Sequence, residues 1–197
     1  MPAKRILILN GHPAETSLSN MLADTYERAA TEAGHEARTM HLHALTFDPD
    51  HGFAGYKEHK PLEADLVAFR DNLEWADHVV LTTPMWWGGL PAKLKGLLDR
   101  ALLPGWAFDT RKLKFGGMPT PLLTGKTGRV FVTSDTPDVF FGLLYRKALL
   151  RQIKGQIFQF VGIKPTRITH FAPAGSAEPA KIHAWLELTK TLAVQGK

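Results

Sequence analysis

The chain has 197 residues, of which 44% are apolar and 22% charged, with a net charge of +5, a pI near 9.5 and no cysteine. These values suit one soluble domain large enough to need no covalent or metal staple, and the absence of thiols excludes disulfides, a cysteine nucleophile and any thiolate-bound metal. The basic residues are scattered and no helix-turn-helix, RNA-binding motif or basic arm accompanies them, so they read as a solvated surface and exclude a nucleic-acid site; no run approaches the ~20 apolar residues of a membrane helix.

In chain order, Ile6 to Leu9 is a continuous apolar run of the buried parallel-strand type, too short for a signal peptide, and a cytoplasmic protein is expected. Leu18, Met21, Leu22, Tyr26 and Ala29 recur at helical spacing up to Gly34, a helix terminator. A more polar strand over Ala37 to Leu42 suggests a sheet edge, and Leu62, Leu66, Phe69 and Leu73 mark the next helix. His78 to Thr83 is a second buried strand ending at Pro84, followed by a helix carrying Leu94, Leu97, Leu98 and Ala101. Arg129 to Thr133 is a further core strand, and Leu144, Ala148, Ile153, Ile157 and Phe160 predict one long helix after it. A strand near Arg167 to Phe171 leads to a last helix with Ile182, Trp185, Leu186 and Leu192. Five βα units without repeat or linker predict a single domain over residues 1–197, an α/β parallel sheet covered by helices on both faces. The connections Asp48–Pro61 and Leu103–Lys126 are long for this class and read as functional or interface-forming.

Open α/β sheets bind ligands beyond the carboxyl ends of their strands, and three such ends are legible. After the first strand comes Asn10-Gly11-His12-Pro13-Ala14-Glu15-Thr16-Ser17-Leu18-Ser19: hydroxyls beside the free amides of a helix start suit a phosphate, although Ser17 also reads as a simple helix cap. The strand ending at Pro84 runs into Met85-Trp86-Trp87-Gly88-Gly89-Leu90-Pro91. A short loop cannot bury both indoles, so they point to a flat aromatic ligand, to a subunit interface, or to both. Thr133-Ser134-Asp135-Thr136-Pro137 gathers hydroxyls and a carboxylate by the same crevice, or forms a capping turn. Other motifs fail. No Gly-x-Gly-x-x-Gly or Gly-x-Ser-x-Gly occurs, and Gly125-Lys126-Thr127 has Thr120 where a P-loop needs glycine. His41 and His43 share a strand face but lack a third ligand, so no metal is expected.

Together these segments resemble the NAD(P)H:quinone oxidoreductase family of flavodoxin-like proteins. Gly11-His12 with Thr16 to Ser19 is similar to that family's flavin-phosphate loop, Pro84 to Gly96 with Asp99-Arg100 to its isoalloxazine loop and following helix, and Leu103 to Phe108 to its Gly-aromatic-Ala-aromatic segment. The resemblance implies a flavodoxin-like three-layer sandwich with a five-stranded parallel sheet of order 2-1-3-4-5. It implies a homodimer, FMN (or FAD) as cofactor, and two-electron ping-pong transfer from NAD(P)H to a quinone-like acceptor. By position, His12, Ser17, Leu18 and Ser19 would hold the flavin phosphate and Pro84, Met85, Trp86, Trp87 and Gly88 the ring, with Ser134, Asp135 and Thr136 at its edge and Trp87 and Phe108 as walls of the acceptor pocket. The family's Thr-Thr-Gly-Gly gives way to Thr133 to Thr136, and its relay Tyr and His meet Phe141 and Lys147, so no proton relay is carried over and no catalytic residue is assigned. A regulatory or electron-carrier flavoprotein, such as an ancillary subunit of a potassium-efflux system, is the alternative; the basic pI disfavours a carrier.

Overall fold

The computed structural model describes residues 2–197; Met1, the first residue of the expected domain, lies outside them. Strands β1 (Arg5–Asn10), β2 (Glu36–His41), β3 (His78–Pro84), β6 (Thr127–Thr133) and β7 (Thr166–Phe171) form one parallel sheet in the order β2-β1-β3-β6-β7, which is 2-1-3-4-5 among the core strands. Ile6 to Leu9 and every residue of β3 are buried, as strands covered on both faces must be, whereas β2 at the edge has only exposed and half-buried positions.

Helices α1 (Leu18–Glu32) and α6 (Pro179–Val194) cover one face, where Ile6, Ile8, Val80 and Phe131 meet Leu22, Tyr26 and Ala193. Helices α2 (Ala64–Trp75), α3 (Ala92–Ala101), α4 (Asp138–Leu143) and α5 (Ala148–Arg151) lie on the other, where Leu7, Leu81 and Val130 meet Leu66, Phe69, Leu97, Phe141 and Leu149. Each such apolar side chain taken out of water contributes roughly 1.5–3 kcal/mol, which commits the layers to this arrangement.

Two expectations need correction. The apolar spacing over Leu144 to Phe160 predicts one helix, but α4 ends at Leu143 and α5 begins at Ala148, continuing as a π-helical stretch over Gln152–Gln159. Arg146 and Lys147 between them adopt left-handed φ of 49° and 51°, which a continuous helix cannot accommodate. The connection Leu103–Lys126 contains a two-stranded antiparallel hairpin, β4 (Phe108–Leu113) with β5 (Pro119–Pro121), too short and irregular for strand periodicity to show.

The other long connection is tied down by Arg100 of α3, which is only 1% exposed. Its guanidinium donates to Glu63 Oε2 at 2.9 Å, to the Pro61 carbonyl at 2.9 Å and to the Asp48 carbonyl. Gly96, one turn earlier, has Pro49 lying where a Cβ would stand, so the segment presses directly onto the helix.

Candidate functional site

The carboxyl ends of β1, β3 and β6 sit side by side, and the three loops singled out in the sequence leave from them. In the first loop Gly11 donates its amide to the Thr82 carbonyl at 2.7 Å; a Cβ there would stand 2.6 Å from the Leu94 side chain, so only glycine lets β1 exit this close to β3 and α3. The buried Asn10 organises the loop. Its Oδ1 accepts from the His12 amide (3.2 Å) and the Thr82 hydroxyl (3.4 Å), and its Nδ2 donates to Asn20 Oδ1 (2.8 Å), which also meets His41 Nδ1 (3.0 Å). Ser17 caps α1, accepting from the Asn20 amide at 3.1 Å, and no acidic residue occupies the first helical turn, so the dipole and remaining free amides face an anion unopposed. Ser19 is buried, its hydroxyl 3.5 Å from that of Thr133.

His12, in the loop between β1 and α1, has its ring edge-on to Trp86, centroids 5.6 Å apart. Burial pushes its pKa below the ordinary value, and Nδ1 accepts the Ala14 amide at 3.0 Å. The neutral ring therefore carries its proton on Nε2, a donor left free for an incoming anion.

After β3 the chain makes a two-residue turn. The amide and carbonyl of Trp86 pair with those of Gly89 at 3.0 and 2.9 Å, and Trp87 and Gly88 take φ of 52° and 72°, the twist of a type I′ turn. A tryptophan at positive φ is strained, and here it is 106% exposed, beside a Trp86 that is 45% exposed. A loop this short is not expected to bury both indoles, and it leaves both exposed. The Met85 amide ties this loop to the Thr133 carbonyl at 2.8 Å.

In the third loop the Asp135 carboxylate accepts the Gly175 amide at 2.5 Å and points into the 172–175 segment, leaving Thr136 to face the crevice. Ser134 is buried, and its hydroxyl lies 2.7 Å from His170 Nε2, while His170 Nδ1 lies 2.7 Å from Asp138 Oδ1. This Ser134–His170–Asp138 line pins the start of α4 to the ends of β6 and β7. The His170 ring in turn packs 4.8 Å from Phe141.

A cavity of about 530 Å³ opens between the second and third loops, lined by Met85, Trp87, Gly88, Thr136, Phe141, Tyr145 and Ala148. Of the non-glycine residues with positive φ among the described residues, Trp87 lines it, and Arg146 and Lys147 connect two of its lining residues, Tyr145 and Ala148. Backbone strain concentrated at one cavity marks a site where shape outweighs local stability. The cavity also accounts for two apparent departures in the sequence: Phe141 is one of its walls and Lys147 part of the strained turn that shapes it.

Of the residues singled out in the sequence, His12, Ser17, Leu18, Ser19, Pro84 to Gly88 and Ser134 to Thr136 all converge on this end of the sheet. Phe108 does not join them: it packs on Phe160 at 5.0 Å and lines a separate groove of about 440 Å³ with Tyr56, Asp99 and Gln152. Trp87 and Phe108 thus belong to different cavities of the one chain. His43 lies in a 3-10 turn, not on a strand face, and among the described residues no cluster of metal-ligating side chains forms; His41 bonds to the asparagines instead. Asn10, Asn20, Asp138 and His170 are additions that no spacing announced, because the partners that tie them together are 10 to 72 residues distant in the chain, and Tyr145 enters only as a wall of the cavity.

The model of a family described as having a flavodoxin-like fold matches residues 4–190. An uncharacterized NAD(P)H oxidoreductase of Haemophilus influenzae is 27% identical over 92% of this chain and 90% of its own length. An FMN-dependent NADH:quinone oxidoreductase of Streptomyces avermitilis is 26% identical over 87% of each. A crystal structure of a Streptococcus mutans protein, 26% identical, superposes with a TM-score of 0.82 over 96% of this chain and 98% of that one.

Proposed function

The chain belongs to the family with the flavodoxin-like fold, and from that premise we propose that it is a single-domain, FMN-dependent NAD(P)H dehydrogenase that reduces a quinone-like acceptor by two-electron ping-pong transfer. The observation that carries the reading is the convergence, at the carboxyl ends of β1, β3 and β6, of an anion-ready helix start and an aromatic, strained cavity. The residues fit the cofactor. Neutral His12, Ser17 and Ser19 with the α1 amides suit its phosphate. Met85, Trp86, Trp87 and Gly88 suit a flat ring, and the amides of Asp135 and Thr136 with the Thr136 hydroxyl suit its polar edge, held in place by Ser134, whose amide is bonded to the Phe171 carbonyl.

Bound flavin supplies the hydride chemistry; the protein supplies binding, orientation and electrostatics. Trp87 and Phe141 provide apolar surfaces that exclude water and align a flat donor or acceptor. Turning the Asp135 carboxylate away keeps an anion from the place where electrons accumulate. Tyr145, in the cavity wall, is a phenolic donor placed to hold an acceptor oxygen.

A second copy of the chain fits this reading. Val139, Phe140, Leu143, Leu144 and Tyr145 are exposed beside the cavity, an apolar patch of the kind that covers itself in a homodimer. Sedimentation should give a dimer, and Phe140→Glu with Leu143→Glu should shift it to monomer. No helix among the described residues is long and apolar enough to cross a membrane; a cytoplasmic location is proposed together with the dehydrogenase reading.

The test is the visible spectrum of the purified protein after adding FMN, before and after anaerobic NADPH or NADH. Bands near ~370 and ~450 nm that bleach with the nicotinamide support the dehydrogenase. Bound flavin that neither nucleotide bleaches leaves a carrier or regulatory flavoprotein. No bound flavin overturns the reading.

A further inference from the structure

At the opposite end of the sheet the amino-terminal ends of β3, β6 and β7 and the residues after α6 enclose a cavity of about 160 Å³, room for roughly five waters at about 30 Å³ each. Lys4, Arg167, Lys197, Thr127 and His78 line it, and no carboxylate side chain does. Among the described residues none of Lys4, Arg129, Arg167 or Lys197 takes part in an ion pair. Asp77, the neighbouring acid, is committed to Arg5, accepting its amide at 3.0 Å and its guanidinium at 2.7 and 3.1 Å.

Two of the basic groups are deeply buried. His78, 2% exposed, meets the Thr127 hydroxyl through Nδ1 at 2.6 Å, and its Nε2 has no partner. Arg129, 5% exposed, has one long bond from Nη1 to the Thr169 hydroxyl at 3.4 Å, and its Nε has none. Buried polar groups are paired as a rule, and a buried cation without a counter-charge is costly. Here that anomaly adjoins a cavity whose rim is cationic.

We propose that this cavity is an anion site for a phosphate- or sulfate-sized oxyanion, held by Arg167, Lys4 and the one proton that the hydrogen-bonded His78–Thr127 pair leaves free, and offsetting the buried charge of Arg129. Lys4 Nζ donates to the Gly196 carbonyl at 2.7 Å and keeps two further protons for a ligand. The guanidinium of Arg167 makes no hydrogen bond within the chain among the described residues and presents its donor fork to an oxyanion. The site lies at the opposite end of the sheet from the α1 helix start, so the two anion sites are separate.

The test titrates inorganic phosphate into FMN-saturated protein, with chloride holding ionic strength constant, and follows the His78 imidazole by NMR and Tm by calorimetry. A saturable shift of the His78 signals with a rise in Tm is expected. Arg167→Ser, an exposed change that leaves the core intact, should weaken phosphate at least about tenfold, the equivalent of one good charge-assisted contact. An equal response to chloride, binding unaltered by Arg167→Ser, or a response that FMN-free protein shows and FMN-saturated protein lacks would each overturn the proposal, the last by assigning the anion to α1. Failure to bind FMN sinks the dehydrogenase reading alone, since the His78 titration still decides this one.

Discussion

At the scale of single residues, Trp87 is the side chain whose place no packing argument explains. It is fully solvated on a strained turn, and both costs are recovered only when something stacks on it. Trp87→Ala should raise the acceptor KM or the FMN dissociation constant about tenfold, and Trp87→Gly, which also relieves the strain of the positive φ, should do the same with Tm level or raised; unchanged binding and kinetics would remove Trp87 from the site. Asp138 acts at one remove, through His170 and Ser134, on the loop before α4 and on Phe141. Asp138→Ala should weaken FMN severalfold, and Asp138→Asn, which keeps an acceptor for the imidazole, should restore most of it. Equal loss in both variants would mean that charge, not position, is what Asp138 contributes. The part given to Trp87 was legible beforehand and that of Asp138 was not. The paired tryptophans announced a ligand by composition, but the Ser–His–Asp line joins three segments that only the sheet brings together.

Among the elements, α1 and its loop carry the clearest prediction. Ser17 both caps the helix and borders the proposed phosphate position. Ser17→Ala should cost about 1 kcal/mol of stability as a lost cap and weaken FMN, whereas Ser17→Asp should preserve the cap and repel the phosphate. Calorimetry with and without FMN separates the two effects; parallel losses in both variants would leave Ser17 a cap and nothing more. This helix was legible from its apolar period and its cap. The segment after β6 was not, because Phe141, Leu149 and Ile153 keep an apolar rhythm across a break that the φ angles of Arg146 and Lys147 impose. Periodicity reports burial, and burial continues there although the helix does not.

For the whole molecule, the distribution of buried basic groups sets how folding responds to pH. Burial, with Lys4 and Arg129 nearby, lowers the His78 pKa from 6.5 to about 3. The unfolded chain therefore takes up a proton that the native state refuses. This contribution is fully present above pH 6.5 and is lost as pH falls towards 3, at about 1.4 kcal/mol per pH unit across that window. Asp77, whose pKa the Arg5 hydrogen bonds lower from 3.8 to about 2, adds a second loss in the same direction at lower pH. In chloride, Tm should fall steadily below pH 6.5, and His78→Gln should flatten the fall between pH 6 and 4; an unchanged slope in the variant would acquit His78.

The sequence by itself determined the layers, the strand order implied by its family resemblance, and the three loops that meet at the crevice. Those depend on local period, on turn residues and on motifs read within a dozen positions, where neighbouring side chains share one element. Tertiary structure decided the rest. It separated Phe108 from Trp87 by seating Phe108 on Phe160, replaced a long loop by a hairpin, and turned the Asp135 carboxylate away from the cavity. It also gathered Lys4, His78, Thr127 and Arg167 at the far end of the sheet. These outcomes rest on contacts between residues far apart in the chain, and no period or spacing encodes which distant side chain will be the one that fills a given space.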